Sequence, residues 1–134
     1  MKLDVTCEEV LPHPIEAVWA ELTAPDAIAD WLMASPDYRP AVGHRFRMKT
    51  DHLSTTGWIE AEVLELEPPR RMVWSWSGVD GNPPSRVTFE LTPEDGGTRL
   101  RLHHAGEMSE EVVRILRDGW PGRLQAVGEA IRRA

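Results

Sequence analysis

Met72-Val73-Trp74-Ser75-Trp76-Ser77 alternates bulky apolar side chains with smaller or polar ones. Successive residues of a strand point to opposite faces, so a period of two puts Met72, Trp74 and Trp76 together on one face. Two tryptophans and a methionine on one face require a covering layer. The same alternation recurs on both sides of this stretch. Upstream, His44, Phe46 and Met48 alternate with Arg45, Arg47 and Lys49, and Gly57, Ile59, Ala61 and Val63 alternate with Trp58, Glu60, Glu62 and Leu64. Downstream, Val87, Phe89 and Leu91 form one row, and Leu100, Leu102 and His104 form another. Breakers separate the rows: the 51–55 loop, Pro68-Pro69-Arg70-Arg71, the stretch from Gly78 to Pro84, and the hairpin signal Asp95-Gly96-Gly97. Consecutive strands joined by short turns predict an antiparallel meander with one covered face.

Outside this block the pattern changes. Leu3, Val5 and Cys7 alternate with polar neighbours and predict a first strand, which Pro12-His13-Pro14 ends. Pro14 suits the first turn of a helix, and Ile15, Val18, Trp19 and Leu22 mark one helical face. A second short helix starts near Pro25 and runs through Ile28 to Leu32, followed by an irregular connection through Ser35-Pro36-Asp37 and Pro40. After Gly106 helical spacing returns. Glu110 to Asp118 predicts a first segment, with Val112, Val113 and Leu116 as its apolar face. Gly119 is expected to interrupt it before Trp120, Leu124, Val127 and Ile131 continue the stripe. The expected class is α+β. A curved antiparallel sheet of about six strands wraps a long C-terminal helix, with two short helices after the first strand. The whole of 1–134 reads as one domain.

Composition narrows the function. A chain of 134 residues buries roughly two-thirds of its unfolded surface and folds without staples. Cys7 is the only cysteine, so no intrachain disulfide forms; it reads as a small buried hydrophobe. The formal charge of −7 argues against nucleic acid and anionic membranes, because phosphate binding needs a basic surface. No apolar run approaches the ~20 residues of a membrane span, and no apolar h-region follows Met1-Lys2-Leu3-Asp4, so no signal peptide is expected. The expected location is cytoplasmic. Six tryptophans, against two Phe and one Tyr, point to a bulky core or an aromatic-lined cavity.

Several stretches together resemble the helix-grip superfamily that includes START and Bet v 1 proteins. Within it, the chain is similar to the branch related to the C-terminal domain of the activator of Hsp90 ATPase. The resemblance rests on Pro14-Ile15-Glu16-Ala17-Val18-Trp19, then Leu22-Thr23-Ala24-Pro25 and Trp31, and on Gly43-His44-Arg45-Phe46. It continues through Pro68-Pro69-Arg70-Arg71-Met72-Val73-Trp74-Ser75-Trp76, the run from Gly97 to Gly106, and Gly119-Trp120 with Leu124. Two features depart from the family. Val42-Gly43 stands where a Gly pair is frequent, and residues 107–118 carry no family motif. The resemblance implies the fold; its superfamily hosts lipid carriers, cyclases, co-chaperones and resistance proteins.

The candidate site is a pocket between sheet and C-terminal helix, lined by Phe46, Met48, Trp74, Trp76, His104, Trp120 and Leu124. Phe46, Met48, Trp74, Trp76 and His104 lie on inward rows, and Trp120 and Leu124 lie on the covering stripe. The alternative is that they simply fill the core. His104 on an inward row must satisfy its ring nitrogens, by a structural partner, a ligand contact or an acid–base role. His103 and His104 should point to opposite faces, and His13, His44 and His52 show no paired ligand spacing, so no metal is expected. No cofactor is expected, and a G-x-S-x-G nucleophile motif, a Gly-rich phosphate loop and C-x-x-C are all absent. Arg70 and Arg71 are expected in a solvated turn.

The first functional expectation is a non-catalytic protein that binds a small hydrophobic molecule. The second is an interaction protein related to Hsp90 co-chaperones; it is expected to be the weaker reading, because the eukaryotic activators carry an additional N-terminal domain and none is read here. The third is a cyclase or hydrolase of polyketide-like substrates, which needs a carboxylate or Tyr38 beside His104. A homodimer is compatible with the sequence.

Overall fold

The rows named above become strands, in the expected order, in a computed structural model that describes residues 1–134. The elements are β1 (Lys2–Leu11), α1 (Ile15–Thr23), α2 (Ile28–Trp31), β2 (Arg45–Lys49), β3 (Trp58–Glu67), β4 (Arg71–Ser77), β5 (Ser85–Glu94), β6 (Gly97–Glu107) and α3 (Glu110–Arg133). One antiparallel sheet contains all six strands in the order β1-β6-β5-β4-β3-β2. β2 to β6 form the meander. β1 closes onto β6 through a register running from Lys2 opposite Glu107 to Leu11 opposite Thr98. The sheet curves around α3, which is the helix-grip fold.

The concave face holds the core. Phe46, Met48, Ile59, Val63, Met72, Trp74, Trp76, Val87, Phe89, Leu100, Leu102 and His104 are almost or wholly without solvent contact. Outward residues of the same strands carry charge. Arg71 lies 3.3 Å from Glu65 and 2.9 Å from Glu90, and Arg86 lies 2.7 Å from Glu65. Exposed pairs of this kind contribute at most about 1 kcal/mol each, so they mark the solvent side rather than hold the sheet together. Arg71 is therefore the first residue of β4, tied into an ion-pair network, and not a turn residue; Arg70 alone stays exposed in the turn.

Strict alternation along β3 would bring Glu65 inward after Val63. A bulge between Val63 and Glu65 prevents this. One extra residue changes the phase, so Leu66 faces Met72 and Glu65 joins the outer network. The β5–β6 hairpin turns on Gly96 at φ 77. The next residue must be glycine as well, because a Cβ on Gly97 would stand 2.0 Å from the carbonyl oxygen of Leu11. The free edge of β2 is also occupied. The Arg47 N–H donates to Asp37 Oδ1 at 2.9 Å, and the Lys49 N–H donates to the Ala34 carbonyl at 2.8 Å.

α3 departs from expectation. It is one continuous helix of 24 residues that runs through Gly119 and contains Pro121. Pro121 has no N–H to give the Arg117 carbonyl, a loss of about 3 kcal/mol inside a helix. Burial of Val113, Leu116, Trp120, Leu124 and Val127 along one stripe contributes roughly 1.5–3 kcal/mol per side chain and outweighs it. Ser109 caps the start, its Oγ accepting from the Val112 N–H at 3.4 Å.

Trp74 is the hub of the aromatic packing. Its ring lies 6.2 Å from Trp31, 5.6 Å from Tyr38, 5.1 Å from Phe46 and 4.9 Å from Phe89. Trp74→Ala is expected to lower the unfolding free energy by about 3–5 kcal/mol in a urea titration. A loss below about 1 kcal/mol would mean that these rings do not pack as described.

Candidate functional site

Trp120 projects from α3 onto the sheet, and its indole N–H has a defined acceptor. Trp120 Nε1 donates to His104 Nδ1 at 3.1 Å. Indole is a donor only, so Nδ1 carries no proton and the neutral ring holds its proton on Nε2. His104 Nε2–H then donates to Ser85 Oγ at 2.8 Å, and the Ser85 hydroxyl donates to the Trp76 carbonyl at 3.4 Å. This directed chain links helix, β6, β5 and β4. Burial, with a lesser contribution from the charge of His103, pushes the His104 imidazole down to about 3. His103 points to the other face, where Nε2 lies 2.7 Å from Asp4 Oδ1.

The seven residues singled out in the sequence divide by position. Phe46 and Trp74 pack with Tyr38, whose rings lie 4.7 Å (Tyr38–Phe46) and 5.6 Å (Tyr38–Trp74) apart. The Tyr38 hydroxyl donates to the Leu22 carbonyl at 2.8 Å, and burial raises its pKa. Tyr38 is thus not a hydrogen-bond partner of His104. Met48 and Leu124 are fully buried in the same core. Trp76, His104 and Trp120 form a second aromatic group, with rings 5.2–5.9 Å apart. Packed side chains thus occupy the middle of the expected hollow.

Open space lies at one end of it. A cleft of about 80 Å³ opens where the end of α2, the β2–β3 loop and the middle of α3 meet. Leu32 and Met33 form one side, His52 and Leu53 the second, and Ile115, Leu116, Gly119, Trp120 and Arg123 the third, with Trp76 at the back. Of the seven, only Trp76 and Trp120 border it. Trp76 is 1 % exposed, and its indole N–H has no protein acceptor. Arg123 is anchored through Nη1, which donates to the Leu32 carbonyl at 2.6 Å.

Periodicity alone missed the other lining residues. Leu53 sits in a loop with no repeat to reveal it, and its burial depends on the fold closing over it. Ile115 and Leu116 lie in the stretch without a family motif, which becomes the first half of α3. Gly119 did carry a signal. A glycine inside an apolar helical stripe costs about 1 kcal/mol relative to alanine. Here no φ constraint requires it, and a Cβ there would meet nothing within 4 Å.

Residues 12–130 match the family model described as activator of Hsp90 ATPase homolog 1-like protein. The chain belongs to this family. The matched span contains every residue that borders the cleft. Among solved structures, MLL2253 from Mesorhizobium loti is 33% identical, with a TM-score of 0.87 and 98% of both chains covered. CalU16 from Micromonospora echinospora is 29% identical at a TM-score of 0.78, covering 96% of this chain and 75% of the other. CV1439 from Chromobacterium violaceum, 21% identical at a TM-score of 0.82 over 96% of each chain, shares the fold. No match is found among the curated proteins. No helix of this family member is long and apolar enough to cross a membrane.

The His104 chain has a measurable consequence. An unfolded histidine titrates near 6.5, so below that pH the unfolded state binds a proton that the folded state refuses until about pH 3. Stability from this residue is complete above pH 6.5 and is lost as pH falls toward 3. Glu21 works in the opposite sense, because burial, then Asp30, raises it to about 7. Comparing wild type with His104→Gln cancels that term. The stability advantage of wild type is expected to shrink by roughly 3 kcal/mol between pH 7 and pH 4. A constant difference across that range would show that His104 is not held neutral.

Proposed function

We propose that the protein binds a small hydrophobic molecule, without catalysis, in the cleft between the end of α2 and the middle of α3. One observation carries this reading. An apolar cleft walled by Trp76 and Trp120 has at its lip a helical glycine that neither backbone nor packing demands. A side chain at 119 would occupy the mouth. Small-molecule sites are typically concave and apolar with a few placed polar groups, and this cleft has that composition.

The site differs from a hollow spanning the sheet. Its volume is about half of the roughly 150 Å³ at which a dry apolar cavity takes benzene. It suits an alkyl chain entering from solvent better than a whole ring. Apolar burial supplies about 25 cal/mol per Å² before ordering costs, so a small ligand is held modestly. Acid–base chemistry at His104 is disfavoured. Both ring nitrogens are engaged, the imidazole is neutral, and none of its hydrogen-bond partners is a carboxylate.

Octan-1-ol titrated against tryptophan fluorescence tests the reading. The emission is expected to change saturably in wild type. Gly119→Leu should abolish the change, whereas Gly122→Leu should not, because Gly122 is equally open but does not border the cleft. Gly119→Ala should also raise stability by about 1 kcal/mol, which shows that the fold tolerates a side chain there. Equal binding by wild type and Gly119→Leu would defeat the proposal.

A further inference from the structure

We infer that the molecule held in this cleft is a small amphipathic carboxylate, with its alkyl chain between Trp76 and Trp120 and its head on the Arg123 guanidinium. The inference rests on the cleft being the ligand site and goes beyond it by naming the ligand's charge and shape.

Charge pairing elsewhere in the molecule makes Arg123 stand out. The chain has 22 acidic residues and a formal charge of −7. Nine of its thirteen arginines lie within 4.0 Å of a carboxylate: 45, 47, 71, 86, 99, 101, 114, 117 and 132. Arg123 does not, although it is half-buried. The residues bordering the cleft include no Asp or Glu. A half-buried cation without a counter-ion beside an apolar surface favours an anion from outside.

Geometry supports the same assignment. The bond from Nη1 to the Leu32 carbonyl fixes the guanidinium at the rim and uses one of its five N–H donors. A planar fork held in this way suits the two oxygens of a carboxylate better than a single hydroxyl. The narrow apolar space beneath takes a chain rather than a ring. An alkyl carboxylate therefore meets both requirements with one molecule.

Octanoate and octan-1-ol have matching chains and different heads, so the pair separates the two claims. Binding is read from the indole ¹H–¹⁵N resonances of Trp76 and Trp120 at pH 7.5. Octanoate is expected to bind wild type about tenfold more tightly than octan-1-ol, as a charge-assisted bond allows. Arg123→Gln should bring that ratio near one whatever happens to the two affinities separately, while Arg123→Lys should keep part of the preference. Equal affinities in wild type, a ratio unchanged in Arg123→Gln, or a ratio near one in Arg123→Lys would each overturn the carboxylate assignment. Failure of both probes to move either resonance would instead remove the cleft as the site.

Discussion

The hydrogen bond from Trp120 to His104 sets where α3 lies on the sheet. Apolar packing alone would let the stripe of α3 slide over a face of mixed large side chains. A directional bond to a buried ring nitrogen has one good position. Through Ser85 that position is tied to the backbone of β4. With Trp120 fixed there, Leu124 and Val127 enter the core on one side, and Gly119 and Leu116 come to the cleft on the other. The cost of burying a histidine is met by engaging both its nitrogens and keeping it neutral.

The same aromatic mass explains why the open space is small and displaced. Trp31, Tyr38, Phe46, Trp74 and Phe89 pack at the β2 side of the concave face. Trp76, His104 and Trp120 fill the centre. On the concave face, a mostly apolar cleft remains where α2 ends and the helix presents a glycine; the wider grooves between β1 and α3 are lined mostly by polar side chains. Arg123 bridges that corner to the Leu32 carbonyl and thereby holds α2 against α3.

Most of the architecture was legible because a half-buried strand writes its burial as a period of two. Phe46 and Met48, Ile59 to Val63, Met72 to Trp76, Val87 to Leu91 and Leu100 to His104 all read correctly from that period. Errors arose where local rules compete with tertiary burial. Gly119 and Pro121 both argue locally against a helix, yet the stripe from Val113 to Val127 carries it through. The β3 bulge is invisible to strict alternation, and Arg71 looked like a turn residue because two prolines precede it. The inward aromatic residues were legible as buried, but alternation cannot distinguish a wall from a filler. That distinction depends on how rings from different strands meet. The cleft residues Leu32, Leu53, Ile115 and Arg123 come from four separate segments that only the folded chain brings together.

Family membership and fold leave the placement of the ligand as the central claim, and xenon tests it without presupposing a ligand. Xenon enters small apolar spaces and scatters strongly. Crystals pressurised with xenon are predicted to show one principal site, bordered by Leu32, Trp76, Leu116 and Trp120. Principal density among Phe46, Trp74 and Phe89, or none at the α2–α3 corner, would contradict the account.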